Sequence, residues 1–296
     1  MYLRKKTTSL SSVKFGAEIR EKEFYLDSDI VHCNHGSYGT VPRRVLAVKQ
    51  RFEVDAEKCP DAFILNHTSV HYNAARAAVA QFVGSNKENI VFVENVTTAI
   101  NAVLKRIQLV AGDSILITNL TYPSTTYTAN DVCQVQNGIN IVILEIEFPI
   151  NSEFEIIEQY KEILSANPSI RIAIIDHITS STALVLPVKN LIELCHQHSV
   201  QVLVDGAHAP GQIQLNLEQL AADYYTGSLY KWVFSARGCA FLWVHPRHQN
   251  RIKPLVTSHN YKMDFQKVFY IQGARDDSTY LSAASAIQFY KEIGGL

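Results

Sequence analysis

Asp205 ends the apolar run Val200-Gln201-Val202-Leu203-Val204, and Lys231 follows it in Gly227-Ser228-Leu229-Tyr230-Lys231-Trp232. A β-branched run that stops at Asp-Gly reads as a buried parallel strand with a carboxylate at its carboxyl end. In open α/β sheets that end is where ligands bind. A lysine amine there can form a Schiff base with a carbonyl compound, and an aspartate can keep a heterocyclic nitrogen protonated. Pyridoxal 5'-phosphate (PLP) needs both groups before its ring can act as an electron sink, so the pair makes PLP the leading cofactor.

The neighbours of the pair extend this reading, each beside a plainer alternative. Tyr230, Trp232, Val233 and Phe234 surround Lys231 with bulk. They predict a partly buried amine with a lowered pKa rather than a solvated lysine. Asp205 alone could simply open a tight turn. His208 follows it closely and could reach the phenolic oxygen of such a cofactor, or serve structure only. In Glu94-Asn95-Val96-Thr97-Thr98-Ala99 a strand gives way to a helix. Amides at a helix start bind phosphate, although a plain capped helix looks the same. Tyr122-Pro123 offers an aromatic that could stack on a flat ring or belong to the core. Asp176 to Thr182 is dense in hydroxyls, as polar sites and ordinary loops both are. His67 and His71 are four apart, but no carboxylate or cysteine completes a zinc set nearby, so no metal is expected.

Such residues need a sheet to position them. Strand-like runs occur at Ile90–Val93, Ser114–Thr118, Ile139–Leu144, Ile170–Ile175, Val200–Val204 and Cys239–Val244. Helix-like segments occur at Ala47–Glu57, Thr97–Arg106, Glu153–Ala166, Val188–His198 and Leu281–Ile293. Ala99, Ile100, Val103, Leu104 and Ile107 fall on one helical face. Alternation of this kind predicts an α/β fold with a mostly parallel sheet, in one large domain from about residue 30 to about 270.

Composition narrows the classes. The chain has 296 residues, 47% hydrophobic and 19% charged, with a net charge of −1. That excludes a broad basic field for nucleic acid or an anionic membrane surface. The apolar runs fall short of a membrane-spanning helix. Five scattered cysteines without a Cys-x-x-Cys pair favour free thiols in a reducing compartment. The first fourteen residues carry Arg4, Lys5, Lys6 and Lys14 and no acid. This suits a flexible basic tail or a mitochondrial presequence, and a cytoplasmic protein is the expectation.

With these segments in order, the chain resembles the class V aminotransferase family of fold-type I PLP enzymes. The likeness is greatest to the isopenicillin N epimerase-like branch, which includes ergothioneine-pathway C–S lyases. It runs from Phe15-Gly16 to Gly294-Gly295. Its motifs include Asn34-His35-Gly36-Ser37-Tyr38-Gly39, Asn95-Val96-Thr97-Thr98-Ala99-Ile100-Asn101 and His177-Ile178-Thr179-Ser180-Ser181-Thr182-Ala183. Asp205-Gly206-Ala207-His208-Ala209-Pro210-Gly211, Lys231-Trp232, Ser258-His259 and Gly273-Ala274-Arg275-Asp276 follow. Each is modest alone; their order and spacing together are specific.

The resemblance implies roles. Lys231 matches the Schiff-base lysine, Asp205 the partner of the pyridine nitrogen, and His208 the residue beside the phenolic oxygen. Thr97 and Thr98 match the phosphate-binding helix start, and Ser228 and Tyr230 lie where relatives place further phosphate ligands. Tyr122 falls near the ring-stacking position. Ser180 lies where desulfurase relatives carry an asparagine, and Asn34 and His35 match a segment that approaches the substrate. A homodimer is implied, because sites of this fold type are built at a subunit interface. So is a division into an amino-terminal arm (1–29), a PLP-binding large domain (30–275) and the start of a carboxyl-terminal small domain (276–296), most of it missing.

Three departures from the family pattern stand out. Tyr230 replaces the usual histidine before the lysine, and a phenol can still donate one hydrogen bond. Ala274 replaces a threonine that often reaches the neighbouring subunit's phosphate. Losing one such bond costs about 1.5–3 kcal/mol. The sequence stops at Leu296, before the small domain that usually supplies an arginine for the substrate carboxylate. The resulting expectation is a PLP-dependent lyase, isomerase or transferase acting on an amino acid or a cysteine-derived substrate. The alternative is a catalytically impaired paralogue that binds PLP or a partner subunit without turnover. A nucleotide-binding protein fits poorly, because no Gly-x-Gly-x-x-Gly follows a strand.

Overall fold

The structure, a computed structural model, describes residues 15–295. The basic segment 1–14, whose composition suits a tail or presequence, and Leu296 lie outside the described residues.

Within them one sheet contains β1 (Ile90–Val93), β2 (Ser114–Thr118), β3 (Asn140–Leu144), β4 (Ile170–Asp176), β5 (Gln201–Asp205), β6 (Tyr224–Ser228) and β7 (Ala240–Val244). The order across it is β1-β7-β6-β5-β4-β2-β3. β7 pairs antiparallel with β1 and β6, and every other pairing is parallel. The strands other than β7 therefore end on the same side of the sheet.

The helices, in chain order, are α1 (Ala17–Glu23), α2 (His35–Tyr38), α3 (Arg43–Lys58), α4 (Pro60–Ala62), α5 (Thr68–Phe82), α6 (Val96–Leu104) and α7 (Pro123–Val135). They continue with α8 (Glu153–Ala166), α9 (Val188–Gln197), α10 (Leu217–Leu220), α11 (Phe265–Tyr270), α12 (Ser278–Leu281) and α13 (Ala283–Glu292). Both faces of the sheet are covered, which is why its strands read as continuous apolar runs. Alternate residues go to opposite sides. Val91, Val93, Ile115, Ile117, Ile172, Ile174 and Leu203 pack with α6 and α7. Ile90, Phe92, Leu116, Ala173, Ile175, Val202 and Val204 pack with α5, α8 and α9.

The expected stripe is buried at Ala99, Ile100, Val103 and Leu104 of α6 and at Ile107, which lies beyond the end of the helix at Leu104. The strand expected from Ile139 begins at Asn140 and departs from the buried pattern: it is the sheet edge, and Ile143 is 49% exposed. The helix-like run from Leu281 is two helices, α12 and α13. Tyr280, Leu281, Ala283 and Ile287 of these helices join the same core cluster as β1 and β7. The His71 ring packs against Phe52, with centroids 5.0 Å apart and the planes tilted by 60°. All five cysteines are free thiols, with Cys195 and Cys239 buried. No helix among the described residues is long and apolar enough to cross a membrane.

Candidate active site

The period-two alternation of the sheet aims three polar residues into one place. Asp176 continues the Ile172–Ile174 parity on β4, Asp205 that of Leu203 on β5, and Ser228 that of Tyr224 on β6. All three sit at the carboxyl ends of adjacent parallel strands, on the face covered by α6 and α7. Asp176 and Asp205 are register partners. One pocket is lined by these three residues together with Asn95 and Thr97 after β1, Tyr122, Ser124 and Thr125 after β2, and His208 after β5. Tyr230 and Lys231 close it after β6.

Lys231 is half-buried, and its Nζ lies 3.1 Å from His208 Nε2. Burial lowers the Lys231 pKa, and the charge of Asp205 opposes that shift. Burial and then Lys231 push His208 down to about 4, so its ring is neutral at neutral pH and can accept a hydrogen bond from Nζ. Asp205 is 4% exposed. The Ala207 amide donates to its Oδ1 at 3.0 Å, and the Thr125 hydroxyl donates to Oδ2 at 3.3 Å. Burial raises the Asp205 pKa, while the Ala207 amide, Lys231 and the Thr125 hydroxyl pull it back.

The opposite wall suits a phosphate. Asn95 caps α6 by accepting from the Thr98 amide at 2.8 Å. The first amides of the helix have no carbonyl of their own helix to bond and face outward with the positive end of its dipole. Thr97 Oγ1 and Ser124 Oγ lie 3.1 Å apart on the pocket wall. The decisive observation is Ser228: its Oγ is buried and has no hydrogen-bond partner among the described residues. A buried polar atom normally has one. An anion at the α6 start would satisfy it. A nucleophilic amine, a carboxylate for a ring nitrogen and a dianion cradle together fit PLP.

The structure distributes the residues expected from sequence unevenly. Lys231, Asp205, His208, Thr97, Tyr122, Ser180, Ser228 and Tyr230 all line the pocket. Tyr122 is 46% exposed at its mouth and is no core tyrosine. Thr98 does not line it; its hydroxyl, like its amide, bonds Asn95 Oδ1. Asn34 and His35 do not line it either. Asn34 accepts from the Ser37 hydroxyl, and His35 Nε2 lies 2.8 Å from the Lys231 carbonyl, with its ring against Trp232 and Phe234. Ser37 and Tyr38, from the same segment, line the pocket in their place. His35 thus braces the lysine loop from behind. Gly39 allows that approach: its φ is +66°, and a Cβ there would overlap the Tyr230 carbonyl oxygen.

Asp176, Ser124 and Thr125 join the site without a distinguishing signal in the sequence. Thr125 is hidden in a Ser/Thr run that reads as loop. Asp176 shows no signal until strand register sets it against Asp205.

Behind the pocket, Tyr225 fills the space that a side chain on Gly206 would need. Its hydroxyl lies 2.8 Å from His177 Nδ1, so Asp205-Gly206 rests on a buried Tyr–His pair. Burial pushes His177 down to about 4, against about 6.5 for an unfolded histidine. As pH falls, the unfolded chain takes this proton first. The contribution of neutral His177 is therefore full above about pH 6.5 and is lost between there and about pH 4. The gap corresponds to about 3 kcal/mol. Urea unfolding is expected to show a steeper fall in stability over that range for wild type than for His177→Gln. Parallel curves would contradict the assignment.

The chain is 28% identical over 95% of its length to hercynylcysteine sulfoxide lyase of Schizosaccharomyces pombe, covering 73% of that protein. It is 27% identical over 91% of its length to an L-cysteine desulfhydrase of Arabidopsis thaliana, of which it spans 64%. It is 30% identical over 91% of its length to isopenicillin N epimerase of Amycolatopsis lactamdurans, covering 71%. A solved structure of the cystine C–S lyase C-DES superimposes with a TM-score of 0.79 at 23% identity, covering 88% of this chain and 72% of that one. That likeness fixes the fold. The family model for aminotransferase class-V matches residues 42–275, and the chain belongs to that family.

Proposed function

We propose that this chain binds PLP through Lys231 and cleaves the carbon–sulfur bond of a cysteine-derived amino acid. The observation that carries the reading is the convergence of Lys231, buried Asp205 and the unpartnered Ser228 hydroxyl on one pocket. The α6 start, Ser228 and Thr97 would hold the phosphate, and Tyr122 would cover the ring. When bound, PLP supplies an electron sink for charge developing at the substrate α-carbon.

The remaining work falls to the chain. Lys231 Nζ takes the α-proton, a task suited to an amine whose pKa burial has lowered. His208, neutral and 3.1 Å away, orients that amine. Asp205 provides a fixed negative charge opposite the ring nitrogen. The sulfur then leaves from the β-carbon and takes up a proton, and the three-carbon fragment, once released, is hydrolysed by one water to pyruvate and ammonia.

The lyase and desulfhydrase relatives support sulfur as the leaving group. The epimerase relative supports a second reading, in which the proton returns to the opposite face of the α-carbon. Incubating the PLP-loaded protein with L-cysteine, S-alkyl cysteines and their sulfoxides separates the two. Pyruvate with released thiol, sulfide or sulfenate is the expected result. Inverted amino acid without pyruvate would favour the epimerase. Bound cofactor without turnover of any of them would leave a non-catalytic PLP-binding protein.

A further inference from the structure

We propose that Asp176 is a positioning residue of this pocket, a carboxyl that stays protonated beside ionised Asp205 and presents its Oδ2 as a hydrogen-bond donor to the bound ligand. Three observations carry it. Asp176 and Asp205 are register partners on adjacent parallel strands and point to the same face, where neighbouring strands lie about 4.8 Å apart. Asp176 is 4% exposed and lines the pocket, yet its Oδ2 has no hydrogen-bond partner among the described residues. Asp205, by contrast, is supplied with donors on both oxygens.

Two carboxylates so close in a buried site do not both ionise. The groups around Asp176 decide which one keeps the proton. Asp205 faces it from β5 with negative charge, and Tyr160 lies near it on α8. The Thr121 hydroxyl and Tyr122 amide approach from the β2–α7 loop, and His177 is turned away toward Tyr225. Burial, then Asp205, lift Asp176 well above the usual carboxylate range, and those donors only partly offset the rise. Asp205 has the Ala207 amide, Lys231 and Thr125 to hold its charge. The proton therefore sits on Asp176. The pair carries one negative charge, and the pocket gains a neutral donor beside the carboxylate.

The identity of the ligand rests on the PLP reading; the protonation state does not. Infrared difference spectra between wild type and Asp176→Asn, recorded without cofactor at neutral pH, should show a carboxylic-acid C=O stretch in wild type that the variant lacks. No such band would overturn the proposal. With PLP, Asp176→Asn keeps a donor and should retain affinity to within about threefold, whereas Asp176→Ala should weaken it about tenfold or more. Equal weakening by Asn and Ala, with both variants folded by circular dichroism, would also overturn it. Failure of wild type to bind PLP would instead remove the cofactor reading, and the infrared band would still decide the protonation of Asp176.

Discussion

Lys231→Ala is expected to lower turnover toward the upper end of the loss seen for a general base, up to about ten-thousandfold. Among the described residues, Lys231 is the one amine in the pocket lining. It is asked both to hold the cofactor and to move the α-proton, so no neighbour replaces it. Its nearest polar side-chain partner, His208 at 3.1 Å, is neutral. Loss of the amine removes a desolvated cation and also one of the groups that favour the charge of Asp205, which keeps its Ala207 and Thr125 donors. The two effects oppose each other, so stability should change little while activity collapses. Single-turnover kinetics together with a thermal melt check the pair of effects. A variant within tenfold of the wild-type rate would contradict the assignment.

Asp205→Asn is the second large effect. The substitution keeps size and the oxygen that accepts from Ala207, removes the charge, and replaces the oxygen that accepts from the Thr125 hydroxyl with an amide donor. Fixed electrostatic partners of this kind are worth about 10²–10³ in rate. A lost hydrogen bond to a charged group weakens binding about tenfold or more. Turnover should fall by the first amount and PLP affinity by the second, measured by rate and by cofactor titration. A variant with wild-type turnover would show that the ring nitrogen finds its counter-charge elsewhere.

Much of this arrangement is legible in the amino-acid sequence, for a specific reason. Strands buried on both faces leave uninterrupted apolar runs, and β1, β2, β4, β5 and β7 all have one. β6 does not. Tyr224-Tyr225-Thr226-Gly227-Ser228 carries four hydroxyl-bearing residues and a glycine, yet it is buried between β5 and β7. The Thr226 hydroxyl is satisfied by the Phe241 carbonyl at 2.8 Å, and Ser228 is kept polar for the site. α7 is hidden in a similar way. Its opening Pro123-Ser124-Thr125-Thr126 has turn chemistry, but the proline is at the first helical position, where its missing amide costs nothing.

The site divides along the same line. Asp205, Lys231 and His208 are legible because residue type and local run point to chemistry. Asp176 is not, because an aspartate at a strand end is unremarkable until register brings it beside a second one. The segment around Asn34 and His35 does approach the site, as the resemblance implies. Which of its side chains face the pocket depends on the turn of α2, and that favours Ser37 and Tyr38.

The central claim is that this pocket binds PLP on Lys231. Titrating the purified protein with PLP while recording its absorbance, then reducing with borohydride and locating the modified residue by peptide mass spectrometry, tests it most directly. A saturable visible band that borohydride removes, with the cofactor left attached to Lys231, is the expected result. No band at saturating PLP, or attachment elsewhere with Lys231 unmodified, would contradict it.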